Sequence, residues 1–356
     1  MSSIPAITGL DTDELETRFN QLGQPGYRAA QVLDWIYAKG AVDFESMTNL
    51  PASLRTELSD HFTISPLSPV DGTRSGDTTR KYLFKLNDGR YIETVLIPAS
   101  PALYGERSDR YTLCVSSQVG CAYGCRFCAS GLDGFARNLD AGEITAQVLA
   151  VSRLSGKKIN NIVFMGMGEP LANLQNLLKA ISIINAPWGI GIGARHMTVS
   201  TSGLAPQIRK FADHPLQVRL AVSLHGASDE VRETIMPVNK KHPIDELLDS
   251  LHYYKSKKKQ KITFEYILIE DINDSSEQAR LLASIASSLK AKVNLIPYNR
   301  VEGLPWKRPG EPVQEAFLKI LTSRGIQATL RREKGHDIEA ACGQLRLRKE
   351  RGEKVT

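Results

Sequence analysis

Apolar residues recur at helical spacing over residues 10 to about 62. Asp11 and Asp13 stand where capping residues would precede a helix from Glu14 to Leu22. Arg28 to Tyr37 carries Ala29, Val32, Leu33 and Ile36 along one side, and Leu54 to Phe62 predicts a third helix. Gly23, Pro25-Gly26, Gly40 and Pro51 punctuate these segments. From Lys81 the period falls to two. Lys81 to Leu86 and Arg90 to Ile97 alternate around Asn87-Asp88-Gly89, the pattern of a β-hairpin.

Between Thr112 and Arg332 short apolar strands alternate with amphipathic helices. The strands are expected at Thr112 to Ser116, Asn161 to Met165, His196 to Val199, Val218 to Ser223, Ile262 to Leu268 and Lys292 to Ile296. Helices should begin near Ala141, Leu174, Leu204, Asp229, Ile244 and Ser275, and a last helix, Val313 to Arg324, is followed by Gln327 to Arg331. Such repetition, with strands apolar on both faces, predicts an α/β fold on a mostly parallel sheet, either open or curled into a barrel. Six main strands suggest an incomplete barrel. The expected units are a helical accessory domain over 1–70, a hairpin region over 71–110, the α/β domain over 111–345 and a basic tail over 346–356.

No run approaches the roughly 18 apolar residues that span a bilayer, and the start of the chain lacks the charge and apolar segment of a secretory signal. A cytoplasmic, non-membrane protein is therefore expected. The net charge of +6 permits nucleic-acid binding. Lys257-Lys258-Lys259, Lys307-Arg308, Arg331-Arg332 and the tail from Arg346 to Arg351 concentrate the bases. The last two flank Cys342, which favours a polyanionic substrate over a merely solvated surface. Tyr27, Arg28, Trp35 and Tyr37 could give the helical domain a face for that substrate, or could form its small core.

Of the 5 cysteines, Cys114, Cys121, Cys125 and Cys128 lie close together, a poor disulfide framework and a good metal or redox site in a reducing compartment. Cys121, Cys125 and Cys128 form C-x3-C-x2-C on a loop with Gly120 and Gly124. Three thiolates can hold three irons of a [4Fe-4S] cluster and leave the fourth open to the amino and carboxyl groups of S-adenosylmethionine. The competing readings are a zinc knuckle closed by a distant residue such as His225, and three unrelated core thiols. Phe127, between the last two cysteines, would keep water from a cluster.

The other unusual polar residues fall just past strand ends, where parallel α/β folds gather their chemistry. Gly166-Met-Gly168-Glu169-Pro170 offers close backbone approach and a carboxylate for a ligand ammonium. Ser200, the run Ser223-Leu224-His225 and Asn299 could contact a ribose, a carboxylate or an adenosine; each could equally be a turn or capping residue. Cys114 and Cys342 are either core thiols or a reactive pair.

These stretches, with Glu93-Thr-Val-Leu-Ile-Pro98, Cys114 to Cys121, Gly166 to Leu171, Asn294 to Asn299 and Cys342-Gly-Gln-Leu345, closely resemble the RlmN and Cfr family of radical-SAM RNA methyltransferases. The likeness covers nearly the whole chain. It implies a partial (βα)6 barrel, a [4Fe-4S] cluster, S-adenosylmethionine as cofactor and an adenosine of 23S rRNA as substrate, taken before ribosome assembly. Gly168-Glu169-Pro170 and Arg137-Asn138-Leu139 favour the RlmN branch, which forms 2-methyladenosine, over C8 methylation of the Cfr kind. Ala129 to Gly134 departs from the form seen in some RlmN proteins, which leaves tRNA a less secure second substrate. Outside this class, the alternative is a zinc-dependent RNA-binding module without catalysis.

By resemblance, one S-adenosylmethionine methylates Cys342. A second, bound to the open iron with its amino group near Glu169, yields the radical that takes hydrogen from that methyl group. The methylene radical adds to the base, and loss of an electron and of the C2 proton, with Glu93 as the candidate base, leaves an enzyme–RNA thioether; Cys114 then attacks Cys342 to release the methylated RNA and a disulfide. The resemblance further implies a flavodoxin-like electron donor, a thiol reductant and a monomeric enzyme.

Overall fold

The computed structural model describes residues 4–74, 79–99, 109–131, 134–299 and 303–331. Its N-terminal unit is helical: α1 (Thr12–Gln21), α2 (Tyr27–Leu33, prolonged by a wider turn over Asp34–Ala38) and α3 (Ala52–His61). Asp11 starts α1 with a reciprocal cap, accepting from the Glu14 N–H at 2.9 Å while its own N–H donates to the Glu14 carboxylate at 3.0 Å. Ile7, Phe19, Val32, Ile36, Met47, Leu54 and Leu58 form a core of their own.

The hairpin is β2 (Arg80–Leu86) and β3 (Tyr91–Pro98), turned at Asn87-Asp88-Gly89 as the alternation predicts, and preceded by β1 (Leu67–Arg74). β1 breaks its own pattern with Pro69 and a register shift before Asp71, which an edge strand tolerates because its outer side has no ladder to complete. That strand is absent from the sequence expectations for this reason. β3 pairs antiparallel with β4 (Tyr111–Cys114), setting Val95 opposite Cys114.

From β4 the sheet runs parallel through β7 (Asn161–Phe164), β8 (Met197–Thr201), β9 (Arg219–Ser223), β10 (Thr263–Leu268), β11 (Lys292–Pro297) and β12 (Ala328–Leu330). The crossing helices are α4 (Ala141–Ser155), α5 (Leu174–Asn185), α6 (Ala205–Asp213), α7 (Asp229–Ile235), α8 (Ile244–Lys257), α9 (Ser276–Ser288) and α10 (Glu311–Ser323). The sheet is open, with β1 and β12 at its edges, and Ala328–Leu330 extends the parallel series beyond the six expected strands. This is the mixed α/β fold with an N-terminal helical region that the sequence predicts. A small ribbon, β5 (Gln118–Gly120) with β6 (Phe135–Asn138), flanks the cysteine loop. It is too short to show a period in sequence.

Alternate residues of the parallel strands face one lumen in two tiers. Thr198, Ala221, Thr263 and Asn294 surround the lower tier, and Ser200, Ser223, Ile267 and Ile296 the upper one, at the strands' carboxyl ends. No helix among the described residues is long and apolar enough to cross a membrane.

Candidate functional site

The upper tier opens as a cleft of about 270 Å³ lined by Cys121, Cys125, Cys128, Gly168, Glu169, Ser200, Ser223 and His225. The cysteine loop leaves β5 through the Cys121 N–H, which donates to Gly134 O at 2.9 Å, and it tightens where the Cys128 N–H donates to Cys125 O at 3.0 Å. Across the cleft, Glu169 is buried and both its oxygens accept backbone donors, from Leu171 at 3.0 Å and Ser202 at 2.7 Å. Its own N–H donates to Gln118 Oε1 at 2.8 Å. Gly168 lies at φ +100°, and a Cβ there would stand 2.4 Å from Gln118 Cβ, so only glycine lets this turn reach the ribbon.

Burial pushes the Cys121 thiol up to about 12, opposed by the hydrogen bond from Tyr123 and assisted by the charges of Cys128 and Glu169. Burial also raises Cys125 well above the usual thiol range, with Cys128, Cys121 and Glu169 adding to it. Burial raises Glu169 too, against the pull of its hydrogen bonds to Ser202, Leu171 and Thr201. Groups that become anionic thus crowd one desolvated cleft, an arrangement a cationic occupant would relieve. Among the described residues no three His, Cys, Asp or Glu side chains converge on a single metal position. A cluster asks for something different, since each thiolate binds a separate iron.

His225 follows β9 at φ +57°, a conformation uncommon outside glycine and a mark of a constrained site. Its Nδ1 accepts from the Ile267 N–H at 3.0 Å, its carbonyl accepts from Asn273 Nδ2 at 2.7 Å, and Phe127 meets its ring edge-on at 4.7 Å. Burial, then the charge of Arg232, pushes it down to about 3. The ring is therefore neutral, and because Nδ1 accepts, its proton sits on Nε2.

Leu224 contributes backbone only: its side chain is buried, its N–H donates to Glu265 O at 3.1 Å and its carbonyl accepts from Arg232 at 3.0 Å. Asn299 does not line the cleft, yet its Oδ1 is buried with no partner among the described residues, as is Ser130 Oγ beside the cysteines. Such orphaned acceptors fit a polar ligand that supplies the missing bonds.

The lower tier is a cavity of about 440 Å³ lined by Cys114, Thr198, Arg219 and Asn294, sharing Met165, Glu265 and Arg331 with the cleft above. Glu93 is buried on β3, ion-paired with Lys81 at 3.2 Å, and its carbonyl accepts from Ser116 Oγ at 2.6 Å. Cys114 is buried at the end of β4, and no disulfide joins Cys114, Cys121, Cys125 or Cys128 to one another. Cys342 lies outside the described residues. Sequence reasoning missed Lys81, Gln118, Arg232 and Glu265. The one signal available was a charged residue, Glu265, inside a strand that is apolar on both sides.

The aromatic residues of the helical unit divide. Tyr27 is exposed, Trp35 lies under the Lys39 ammonium at 4.2 Å, and Tyr37 packs edge-on against Trp188 of the α/β unit at 6.0 Å.

A model of the radical SAM superfamily matches residues 115–283, and a model of the ribosomal RNA large subunit methyltransferase N-terminal domain matches residues 6–64. A probable dual-specificity RNA methyltransferase RlmN of Akkermansia muciniphila is 53% identical over 350 residues, covering 98% of each chain. A probable RlmN 3 of Opitutus terrae is 52% identical over 361 residues, covering 99% of this chain and 96% of the other. Among solved structures, a radical SAM methyltransferase from Sphaerobacter thermophilus superposes with a TM-score of 0.90 at 44% identity, covering 96% of this chain and 98% of that one.

Proposed function

The chain belongs to the RlmN family of radical-SAM RNA methyltransferases, and on that premise we propose that it forms 2-methyladenosine in protein-free 23S rRNA and in tRNA. The observation that carries the reading is the convergence of Cys121, Cys125 and Cys128 with Glu169 on one cleft that adjoins the Cys114 cavity. In this reading the three cysteines hold a [4Fe-4S] cluster. Glu169 and the Gly168 backbone receive the amino group of S-adenosylmethionine, while Ser200, Ser223, Leu224, His225 and Asn299 hold its carboxylate, ribose and adenine. Bound there, the cluster and cofactor would supply one-electron chemistry able to remove a hydrogen atom from a methyl group.

The chain's own residues do the rest. Glu169 enters the reaction already oriented, because both its oxygens are fixed by backbone N–H groups. Phe127, edge-on to His225, keeps water from the cysteines. Cys342 carries the methyl group to the base, Glu93 accepts the C2 proton with Lys81 beside it, and Cys114 releases the RNA by attack on the Cys342 sulfur. The helical unit and the basic runs hold RNA by charge and stacking. A flavodoxin-like donor supplies electrons, a small-thiol or protein reductant restores the thiols, and the enzyme acts as a monomer. Residues 1–70, 71–110, 111–345 and 346–356 form the corresponding units.

Reconstituted protein incubated with protein-free 23S rRNA, followed by nuclease digestion and comparison with authentic 2-methyladenosine and 8-methyladenosine, tests the product. We expect 2-methyladenosine. Exclusive 8-methyladenosine would move the chain to the other branch, and a parallel tRNA reaction decides the second substrate.

A further inference from the structure

Arg232, on α7, is the largest fully buried side chain among the described residues. A buried guanidinium survives only if its donors are met, and here each goes to a different segment of the site. Nε donates to Leu224 O at 3.0 Å, Nη1 to Asn239 Oδ1 at 2.7 Å, and Nη2 to Ser202 O. Leu224 lies in the loop after β9, and the N–H of Ser202, after β8, is the one that fixes Glu169. Asn239 is itself held by Asp229 Oδ1 at 2.7 Å, which also accepts from the Ile244 N–H at 2.9 Å. Room for the side chain is built in: a Cβ on Gly203 would lie 2.9 Å from Nη2, and one on Gly226 would lie 2.6 Å from the Arg232 backbone.

The same helix touches the cysteine loop, where the Arg126 N–H, next to Cys125, donates to Ile235 O at 2.9 Å. Burial lowers the Arg232 pKa to about 10, against the charges of Cys125 and Asp229, so the group is a cation at neutral pH.

We propose that Arg232 is a positioning residue with two effects: its fixed charge behind Cys125 stabilises the one-electron-reduced cluster, and its fork clamps the loops after β8 and β9 around the cofactor. The inference rests on the reading that Cys121, Cys125 and Cys128 hold a cluster. Reduction adds one electron to the cluster and breaks no bond, so a nearby fixed cation favours the reduced form and raises the potential.

Two variants separate the effects. Arg232→Gln removes the charge; Arg232→Lys keeps it but loses the fork. Each is reconstituted as holoenzyme, assayed for iron and sulfide, titrated electrochemically with spin-resonance detection, and measured for S-adenosylmethionine affinity in the oxidised state. With Arg232→Gln the reduced-to-oxidised ratio at a fixed potential should fall at least tenfold, a downward shift of about 59 mV or more, and affinity should fall about tenfold. With Arg232→Lys the potential should stay within that limit while affinity still falls. A loaded Arg232→Gln protein with wild-type potential overturns the electrostatic claim, and wild-type affinity in both variants overturns the clamp. If the glutamine variant does not retain its cluster, the lysine variant decides: a tenfold shift there rejects charge as the cause. Wild-type protein without iron rejects the underlying cluster reading, an outcome distinct from all of these.

Discussion

Two buried carboxyl groups face the same lumen under different constraints. Glu169 has each oxygen fixed by a backbone donor, whereas Glu265 has one side-chain donor, Asn294 Nδ2 at 2.7 Å, and the more distant charge of Arg331. Burial therefore dominates at Glu265 and raises it from 4.5 to about 7. The native state then holds a proton that the unfolded chain has released, so the contribution of this group to stability is complete below about pH 4.5 and is lost as pH rises to about 7. Glu265→Gln should match the wild type in stability at pH 4 and exceed it at pH 8, by up to ~3 kcal/mol; equal separation at both pH values would reject the assignment. Gly168→Ala should cost about 1–3 kcal/mol in chemical denaturation from backbone strain alone, and more from the contact with Gln118. It should also weaken S-adenosylmethionine binding, since that turn carries Glu169. Residues such as Cys121, Cys125, Cys128 and Glu169 were legible because their spacing is local. Arg232, Lys81 and Gln118 were not, because Lys81 meets Glu93 across a strand pair, Gln118 binds Glu169 51 positions on and Arg232 reaches Ser202 30 positions back, contacts that only the fold makes.

At the scale of elements, long periodic segments were readable and short or interrupted ones were not. The helices beginning at Ala141, Leu174 and Asp229 start where the pattern places them, while the β5–β6 ribbon has too few residues to establish a period and β1 is interrupted by Pro69. What joins elements is also invisible in a pattern. Gln147, inside α4, accepts from Thr94 Oγ1 and the Ser116 N–H, both at 2.9 Å, and donates to Ser116 O at 2.9 Å. One buried amide thereby ties the hairpin, the strand leading to the cysteines and the helix behind them. Gln147→Leu leaves those groups without partners and should cost about 2–4 kcal/mol. The same change should loosen the cysteine loop, read as faster loss of iron to a chelator; an unchanged denaturation midpoint would show that water or a neighbour replaces the amide.

Across the whole molecule, two cores are coupled at a small junction. Thr8 Oγ1 donates to Gly142 O at 3.2 Å, Lys179 pairs with Glu14 at 2.6 Å, and Tyr37 packs on Trp188. The junction fixes the helical unit against the sheet while leaving Tyr27 exposed and Trp35 half-buried against the helical core, beneath Lys39, which also pairs with Asp34 at 2.9 Å. A face of this kind suits single-stranded RNA, since an aromatic ring accepts any base and a lysine any phosphate. Trp35→Ala should therefore weaken RNA binding by about 1–3 kcal/mol at every salt concentration. Lys39→Ala should lower the slope of log affinity against log salt by about 1 and affect all sequences alike. Neither change reaches the cleft, so iron content and S-adenosylmethionine affinity should match the wild type. Filter binding of a 23S rRNA fragment over a salt series reads both quantities, and an unchanged slope in Lys39→Ala together with unchanged affinity in Trp35→Ala would remove this face from the RNA path, leaving recognition to the rim of the cleft.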